Sequence, residues 1–431
     1  MKTLLLLAVL DWNADFTHLL TELPKMHPNP WHITTREAFV GEIDKLRARV
    51  PEMQDHEVAV ELARIIATIG DGHTRLTLPL DPGYGFFQGH AKTAPAKIAF
   101  HAVPERYVIL SNGLFTTDGK RVTRIGRLSA EEAIAAVMPV AHGDNEMQKK
   151  EVAAGYLAVP EVLHARGVIG SLDEVETMQP RPRPQTKPWS FEHLPEKKAV
   201  VFTFNEAANT KEESLAQFSE RMFRFIDEHP VEKLVIDLRN NYGGNGSLNR
   251  AVLHGLIRSK KLQAPGSVFV LIGRRTFSAA IFFLVDLEQH THAIFVGEPT
   301  GGAPNGYGDS RRLVLPESGV TVRISTLYWQ KSDPRDKRTT IEPHVDIEPS
   351  FGSDAAMATA LDFFGAPAEG GRRYTGVVSI DHERIPVTIV DGKIVEKDLA
   401  QYRITLRQGT KRAAGTMTAE GRDYLIVASA P

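Results

Sequence analysis

The stretch from residue 199 to residue 296 constrains this chain more than any other. Ala199 to Phe204 reads as a strand, Glu212 to Asp227 as a helix, Lys233 to Leu238 as a buried strand and Ser247 to Ser259 as a helix. Ser267 to Ile272 is a second buried strand, Ser278 to Gln289 a helix and Ala293 to Val296 a strand. Strands separated by helices join one another through parallel crossovers. The order therefore predicts an α/β fold, a mainly parallel sheet covered by helices, with ligands expected beyond the strand ends.

Around this core the patterning changes. From Trp12 to Ile69 apolar residues recur at helical spacing, with a break at His27-Pro-Asn-Pro30 and an N-cap at Thr34 or Thr35. The helix from Asp55 to Ile69 ends at Gly70-Asp-Gly72, which puts His73 just past a helix C-terminus, at the head of an extended run from Thr74 to Leu80. Short strands are expected at Lys97 to Ala102, Arg106 to Ser111 and Arg121 to Ile125, with a turn at Asp118-Gly119 and a helix from Ser129 to Met138. Gly119 to Gly126 and the helix after it resemble the later part of a PDZ domain, a family-specific insert being the alternative reading. Residues 171–195, rich in Pro, Lys, Arg and Glu, read as an exposed connector. Arg372 to Ala430 reads as a small antiparallel β-module. The expected division is a helical module at 1–92, a mixed α+β segment at 93–170, the connector, a core at 196–366 and the β-module at 367–431.

Composition narrows the partners. The 51 basic and 53 acidic residues of the 431 nearly cancel and form no long run, so neither nucleic acid nor a membrane surface is an expected partner. The absence of cysteine excludes disulfides, thiolate catalysis and Cys-ligated zinc, and leaves the compartment open. Met1 to Leu10, one positive charge before a short apolar run, resembles the start of a secretory signal; export is the expectation, a buried helix turn and a cytoplasmic location the alternatives. There is no H-E-x-x-H, and no metal or organic cofactor is expected.

Two loops at the strand ends carry candidate chemistry. Ser278 lies between the strand ending at Ile272 and the apolar helix that begins Ala279-Ala280, where helix N-H groups favour an oxyanion. Taken alone, it reads first as an N-cap serine, because serine caps helices routinely. The strand Val235 to Leu238 runs into Asn240-Asn-Tyr-Gly243-Gly244, whose adjacent glycines allow close backbone approach and can turn N-H groups into one concavity. No Gly-Lys-Ser/Thr ending supports a phosphate loop instead.

Five segments in order resemble peptidase family S41, the C-terminal-processing and tricorn-type peptidases. Asp237-Leu-Arg-Asn-Asn-Tyr-Gly-Gly244 is similar to the family's D-x-R-x-N-x-G-G signature, and Thr276-Phe-Ser-Ala-Ala280 to the segment bearing its nucleophile. Gly297-Glu-Pro-Thr-Gly-Gly302 is similar to G-E-x-T-x-G, Ile69-Gly-Asp-Gly-His-Thr74 to the D-G-H-T element, and Ile341-Glu-Pro-His-Val-Asp-Ile347 to the closing x-P-D-I-x-V segment. The resemblance implies a crotonase/ClpP-like core and hydrolysis of peptide or unfolded protein substrates through an acyl-enzyme on Ser278. It also implies an oxyanion hole from the N-H groups of Gly243 or Gly244 and of Ala279. The chain departs from the C-terminal-processing branch at Ala303, where that branch has its lysine base, and no lysine occurs between Lys261 and Lys331. The tricorn-like branch uses a histidine from the N-terminal region, which points to His73 as base, with His344 as runner-up. The orienting acid falls in Asp333-Pro-Arg-Asp-Lys-Arg338: Asp336 is the first choice, Asp333 and Glu342 follow. The rivals are a non-catalytic S41-like binder of apolar ligands or peptides, and an esterase or acyltransferase using the same serine. Tyr328-Trp329-Gln330 reads either as packing or as the lining of a substrate groove.

Overall fold

A computed structural model describes residues 10–78, 96–178, 186–368 and 372–431. Three helices open the chain: α1 (Trp12–Met26), α2 (Arg36–Arg49) and α3 (Asp55–Ala67). Thr35 caps α2 by accepting from the Ala38 N-H, and Gly70, at φ +82°, takes the left-handed turn after α3 that a side chain would oppose. Strand β1 (Arg75–Thr77) follows at once. The middle segment holds β2 (Tyr107–Leu110), β3 (Gly113–Thr116), β4 (Arg121–Val122), β5 (Arg124–Ile125) and β6 (Leu128–Ser129), then α4 (Ala130–Val137), α5 (Glu146–Tyr156) and α6 (Pro160–Ala165). Lys97 to Ala102 forms no strand beyond a single bridge of Ala102 to Met178. Strand β3 and helices α5 and α6 are additions to the expected set. The signal peptide expectation at 1–10 falls almost wholly outside the described residues.

The core comes next, in the expected order. It comprises β7 (Trp189–Leu194), β8 (Ala199–Phe204), α7 (Leu215–Glu228), β9 (Lys233–Asp237), α8 (Asn249–Arg258), β10 (Val268–Ile272), α9 (Ala279–His290) and β11 (Ile294–Gly297). A long hairpin follows, β12 (Asn305–Gly308), β13 (Arg311–Val314), β14 (Thr321–Ile324) and β15 (Leu327–Gln330), then β16 (Val345–Asp346) and α10 (Ala355–Leu361). The tail is β17 (Arg373–Ile380), β18 (Glu383–Val390), β19 (Lys393–Ile394), β20 (Arg403–Gln408), β21 (Arg412–Ala419) and β22 (Arg422–Ser429), one antiparallel sheet of six strands.

The chain divides into two units, residues 1–184 with 305–330, and residues 185–304 with 331–431. In the first, α1 to α6 and the β1-β14-β13 sheet share one apolar core, with Phe16, Ile43, Ile65, Val162 and Val322 fully buried. The hairpin of residues 305–330 thus belongs with the N-terminal elements, although it lies within the stretch 196–366 that reads as one core in sequence. Long-range pairing of β14 with β1 decides this, and no local pattern reports it.

In the second unit the central sheet runs β16-β11-β10-β9-β8-β7, parallel except for β7, which pairs antiparallel with β8. Residues 189–194 of the expected connector are therefore an edge strand of the core. Both faces of the sheet are covered. Leu234, Ile236, Val268 and Val270 pack in one cluster with α7, α8 and α9, while Val235, Phe269 and Leu271 pack in another with α10 and the tail strands β21 and β22. Five consecutive buried residues in β10 follow from that two-sided burial. Among the described residues no helix is long and apolar enough to cross a membrane.

Helices α7 and α8 meet at a glycine: a β-carbon on Gly255 would lie 2.0 Å from the Phe223 ring. Gly255→Ala should cost about 1–3 kcal/mol by overpacking, read as a lower urea midpoint with unchanged far-UV dichroism.

Candidate active site

Ser278 sits where β10 has ended and α9 begins, at φ 56° and ψ −124°. A side chain at positive φ is strained, and a serine serving only as an N-cap would occupy the extended region and accept a backbone N-H. Ser278 makes no such capping bond. The N-cap reading therefore fails, and the strain needs another reason.

The backbone before it is held from several sides. Thr276 donates its hydroxyl to the Leu238 carbonyl at 2.9 Å, and its oxygen accepts the Gly273 N-H at 3.0 Å. The Phe277 N-H reaches the Asn241 carbonyl at 3.1 Å, and the Gly301 N-H reaches the Thr276 carbonyl at 3.2 Å. The turn after β9 thus supports the turn after β10.

The two glycines have different roles. Gly243, at φ +115°, has no room for a β-carbon, which would lie 2.7 Å from Ser278 Cβ and 3.0 Å from the Ala279 nitrogen. Its N-H is occupied, donating to Asn241 Oδ1 at 2.8 Å while Asn241 Nδ2 donates to the Phe204 carbonyl at 2.8 Å. Gly244, at φ +120°, is pressed against the Ala207 carbonyl, 2.5 Å from where a β-carbon would be. Among the described residues, the N-H groups of Gly244 and Ala279 have no protein acceptor. Gly243 supplies space beside the serine; Gly244 and Ala279 hold the available donors.

The remaining signature residues brace these loops. Arg239 forms paired bonds to Asp237, at 2.9 and 2.7 Å, and to Asp354, at 2.8 Å for each oxygen, tying the β9 turn to the start of α10. Glu298 forms a buried ion pair with Arg274 in the loop before the serine. Thr300 accepts the Ile341 N-H at 2.8 Å on its hydroxyl. Asn241 stands inside a quoted segment and Arg274 just before one, and neither role was legible in the sequence. Neither flanking lysine is an idle amine: Lys261 donates to the carbonyls of Ile226, Asp227 and His229, and Lys331 pairs with Asp286.

His73 lies in the first unit and Ser278 in the second. The D-G-H-T loop folds around Asp71, whose Oδ1 accepts the His73 N-H at 2.8 Å, the Thr74 N-H at 2.6 Å and the Ser325 hydroxyl at 2.8 Å. Its Oδ2 faces His27 Nε2 at 2.9 Å; because His27 Nδ1 accepts the Asn29 N-H, Nε2 carries the proton and donates. Burial alone would raise the Asp71 pKa, but the His27 and Thr74 bonds outweigh it and hold the carboxyl below its usual range. His27 is absent from the sequence-level candidates; its only signal was the break at His27-Pro-Asn-Pro30. Burial pushes the His73 imidazole down to about 4, with Asp71 opposing the shift and Arg75 reinforcing it, while a hydrogen bond to the Tyr307 backbone fixes the ring. His73 is thus a neutral imidazole at physiological pH.

Of the three candidate acids, Asp336 alone is buried. Its carboxylate accepts from Ser332 at 2.7 Å and from Arg338, and these bonds hold it ionised against the burial that would raise its pKa. Asp333 is paired with Arg335, which lowers its pKa, and Glu342 is exposed with its pKa raised by partial desolvation. His344 is structural: its Nδ1 accepts the Phe295 N-H at 2.9 Å, and burial keeps it neutral.

Residues 256–347, which include Ser278, the Gly297 to Gly302 loop and the segment from Ile341, match the model of peptidase family S41. The fold of this chain is similar to that of mature CPAF, with 13% sequence identity, 78% of this chain and 92% of that chain covered, and a TM-score of 0.50. It also aligns with the photosystem II D1 C-terminal processing protease at 15% identity, covering 79% of this chain and 97% of that one, with a TM-score of 0.40. No curated protein matches the chain.

The buried imidazole ties stability to pH. Folded His73 takes a proton only near pH 4, whereas the unfolded imidazole does so near 6.5, so between these values the unfolded state binds more protons. Its contribution is complete above pH 6.5 and is lost as the pH falls toward about 4. A urea midpoint lower at pH 5 than at pH 7.5, with the difference reduced in His73→Gln, is the expected result.

Proposed function

We propose that this protein is an S41-type serine peptidase that cuts peptide or unfolded protein chains through an acyl-enzyme on Ser278. The observation that carries the reading is the strained serine at a strand-to-helix turn, facing a glycine that leaves no room for a side chain. In this reading the N-H groups of Gly244 and Ala279, which have no protein acceptor among the described residues, stabilise the tetrahedral oxyanion. Ser278 Oγ attacks the peptide carbonyl as His73 takes the hydroxyl proton. The same proton then goes to the departing amine, and water repeats the sequence on the acyl-enzyme to release the second product. Asp336, buried and ionised, is the proposed orienting acid for the imidazolium that forms. Ala303 stands at the family's lysine position and Lys261 and Lys331 are engaged elsewhere, which favours a histidine base over a Ser-Lys dyad. The core is proposed to be of the crotonase/ClpP-like kind, supported by its parallel sheet with the serine at the strand ends.

The purified chain should label with a fluorophosphonate and hydrolyse unfolded casein, and Ser278→Ala should abolish both; a folded wild type that never labels would sink the enzyme reading. Gly243→Ala, forced against Ser278, should lower turnover by about 100-fold or more. Because His73 titrates near 4, kcat/KM should stay level as the pH falls through 6.5 and decline only toward about 4. An acid limb centred on 6.5 would point to a base other than buried His73.

A further inference from the structure

Helix α9, which Ser278 precedes, ends against a cavity of about 660 Å³, within the usual range of small-molecule sites. Its walls all come from the second unit: Glu288 and His290 from the end of α9, Arg338 from the loop of Asp336, and Ser379, Arg384 and Arg422 from the tail sheet. Strand register places Ser379 of β17 opposite Arg384 of β18. The Arg384 guanidinium donates to the carbonyls of Pro343 and Glu342, which fastens the tail sheet to that segment. Ser379 Oγ lies 3.3 Å from His344 Nε2. Because His344 Nδ1 accepts the Phe295 N-H, Nε2 carries the proton and Ser379 accepts it, which leaves the serine's own hydrogen for another acceptor.

The carboxylates of these walls are mostly committed, and two of the cations are not. Both oxygens of Glu288 accept from Arg338 at 2.9 Å, Asp333 is paired with Arg335, and Asp423 accepts the Thr418 hydroxyl. Asp381 and Glu383 are exposed at the tip of the β17/β18 hairpin, where Asp381 acts on Arg335. Among the described residues, neither Arg384 nor Arg422 has a carboxylate within 4.0 Å. Burial lowers the Arg384 pKa, Arg338 adds to the shift, and Glu288 and Glu342 only partly oppose it. A guanidinium drawn out of water without a counter-ion is costly, and an oxyanion that enters to pair with it offsets that cost.

We infer that this cavity binds a small organic anion with two or more carboxylate or phosphate groups, one held by Arg384 and Ser379 and another by Arg422. The imidazoles of His290 and His382, on the same walls, supply further donors. Arg338, which bonds both Glu288 and Asp336, puts the occupant beside the loop of the proposed orienting acid. The site makes no use of Ser278, so it stands whether or not the chain is a peptidase.

Isothermal titration calorimetry of the full-length protein with citrate and with fructose 1,6-bisphosphate, at constant ionic strength, tests this. At least one should bind with a Kd below about 1 mM, and whichever binds more tightly tells carboxylate from phosphate. Triethyl citrate, which keeps the skeleton without the charges, should not bind. Arg422→Gln should weaken binding by about tenfold and leave the ligand-free melting temperature unchanged, since that side chain is exposed. Arg384→Gln should abolish binding; where it does not fold, Arg422→Gln decides. Absence of binding by both anions, equal binding of triethyl citrate, or a folded variant at either arginine that binds as the parent does would each overturn the inference.

Discussion

The close approach of Gly243 to Ser278 is the constraint on which the candidate site depends. A serine at φ 56° persists only where its surroundings over-determine it. Here the turn after β9 presses against it through a residue without a side chain, while Phe277 and Thr276 are bonded into that same turn. The close contact also separates the duties of the two glycines. One makes room, and the other, with Ala279, keeps its N-H available.

Much of what looks like a catalytic signature is bracing. Asp237 and Arg239 join the β9 turn to Asp354, Glu298 neutralises a buried Arg274, and Asn241 binds Gly243 and Phe204 at once. A buried carboxylate or guanidinium is tolerated only when paired, so these residues come as sets. Asp71 does similar work in the other unit, where one carboxylate accepts from two backbone N-H groups, a hydroxyl and His27. An Asp at that place in D-G-H-T thus shapes the loop that carries His73.

Burial decides the state of the histidines. His73 and His344 are both enclosed and both kept neutral, but they differ in what the ring does. His344 is consumed by the Phe295 N-H within the sheet, whereas the His73 ring lies beside Gly308 of β12. The motif already ranked His73 ahead of His344, and their surroundings show why the second ring is not available.

Local pattern determined the alternation of strands and helices from Ala199 to Val296, the turn that places His73 after α3, and the antiparallel β character of the tail, because two-sided burial, capping residues and glycine turns leave short-range marks. It also brought Ser278, Gly243 and Gly244 forward as a set. Tertiary structure alone decided that residues 189–194 join the core sheet and that residues 305–330 belong with the N-terminal unit, since both follow from strand pairing across long separations. It decided that Ser278 is strained and makes no N-cap bond, that Asp336 is buried while Asp333 and Glu342 are not, and that Tyr328 and Trp329 face solvent. Backbone angle and burial are properties of what surrounds a residue, and the same three letters in a row are compatible with either answer.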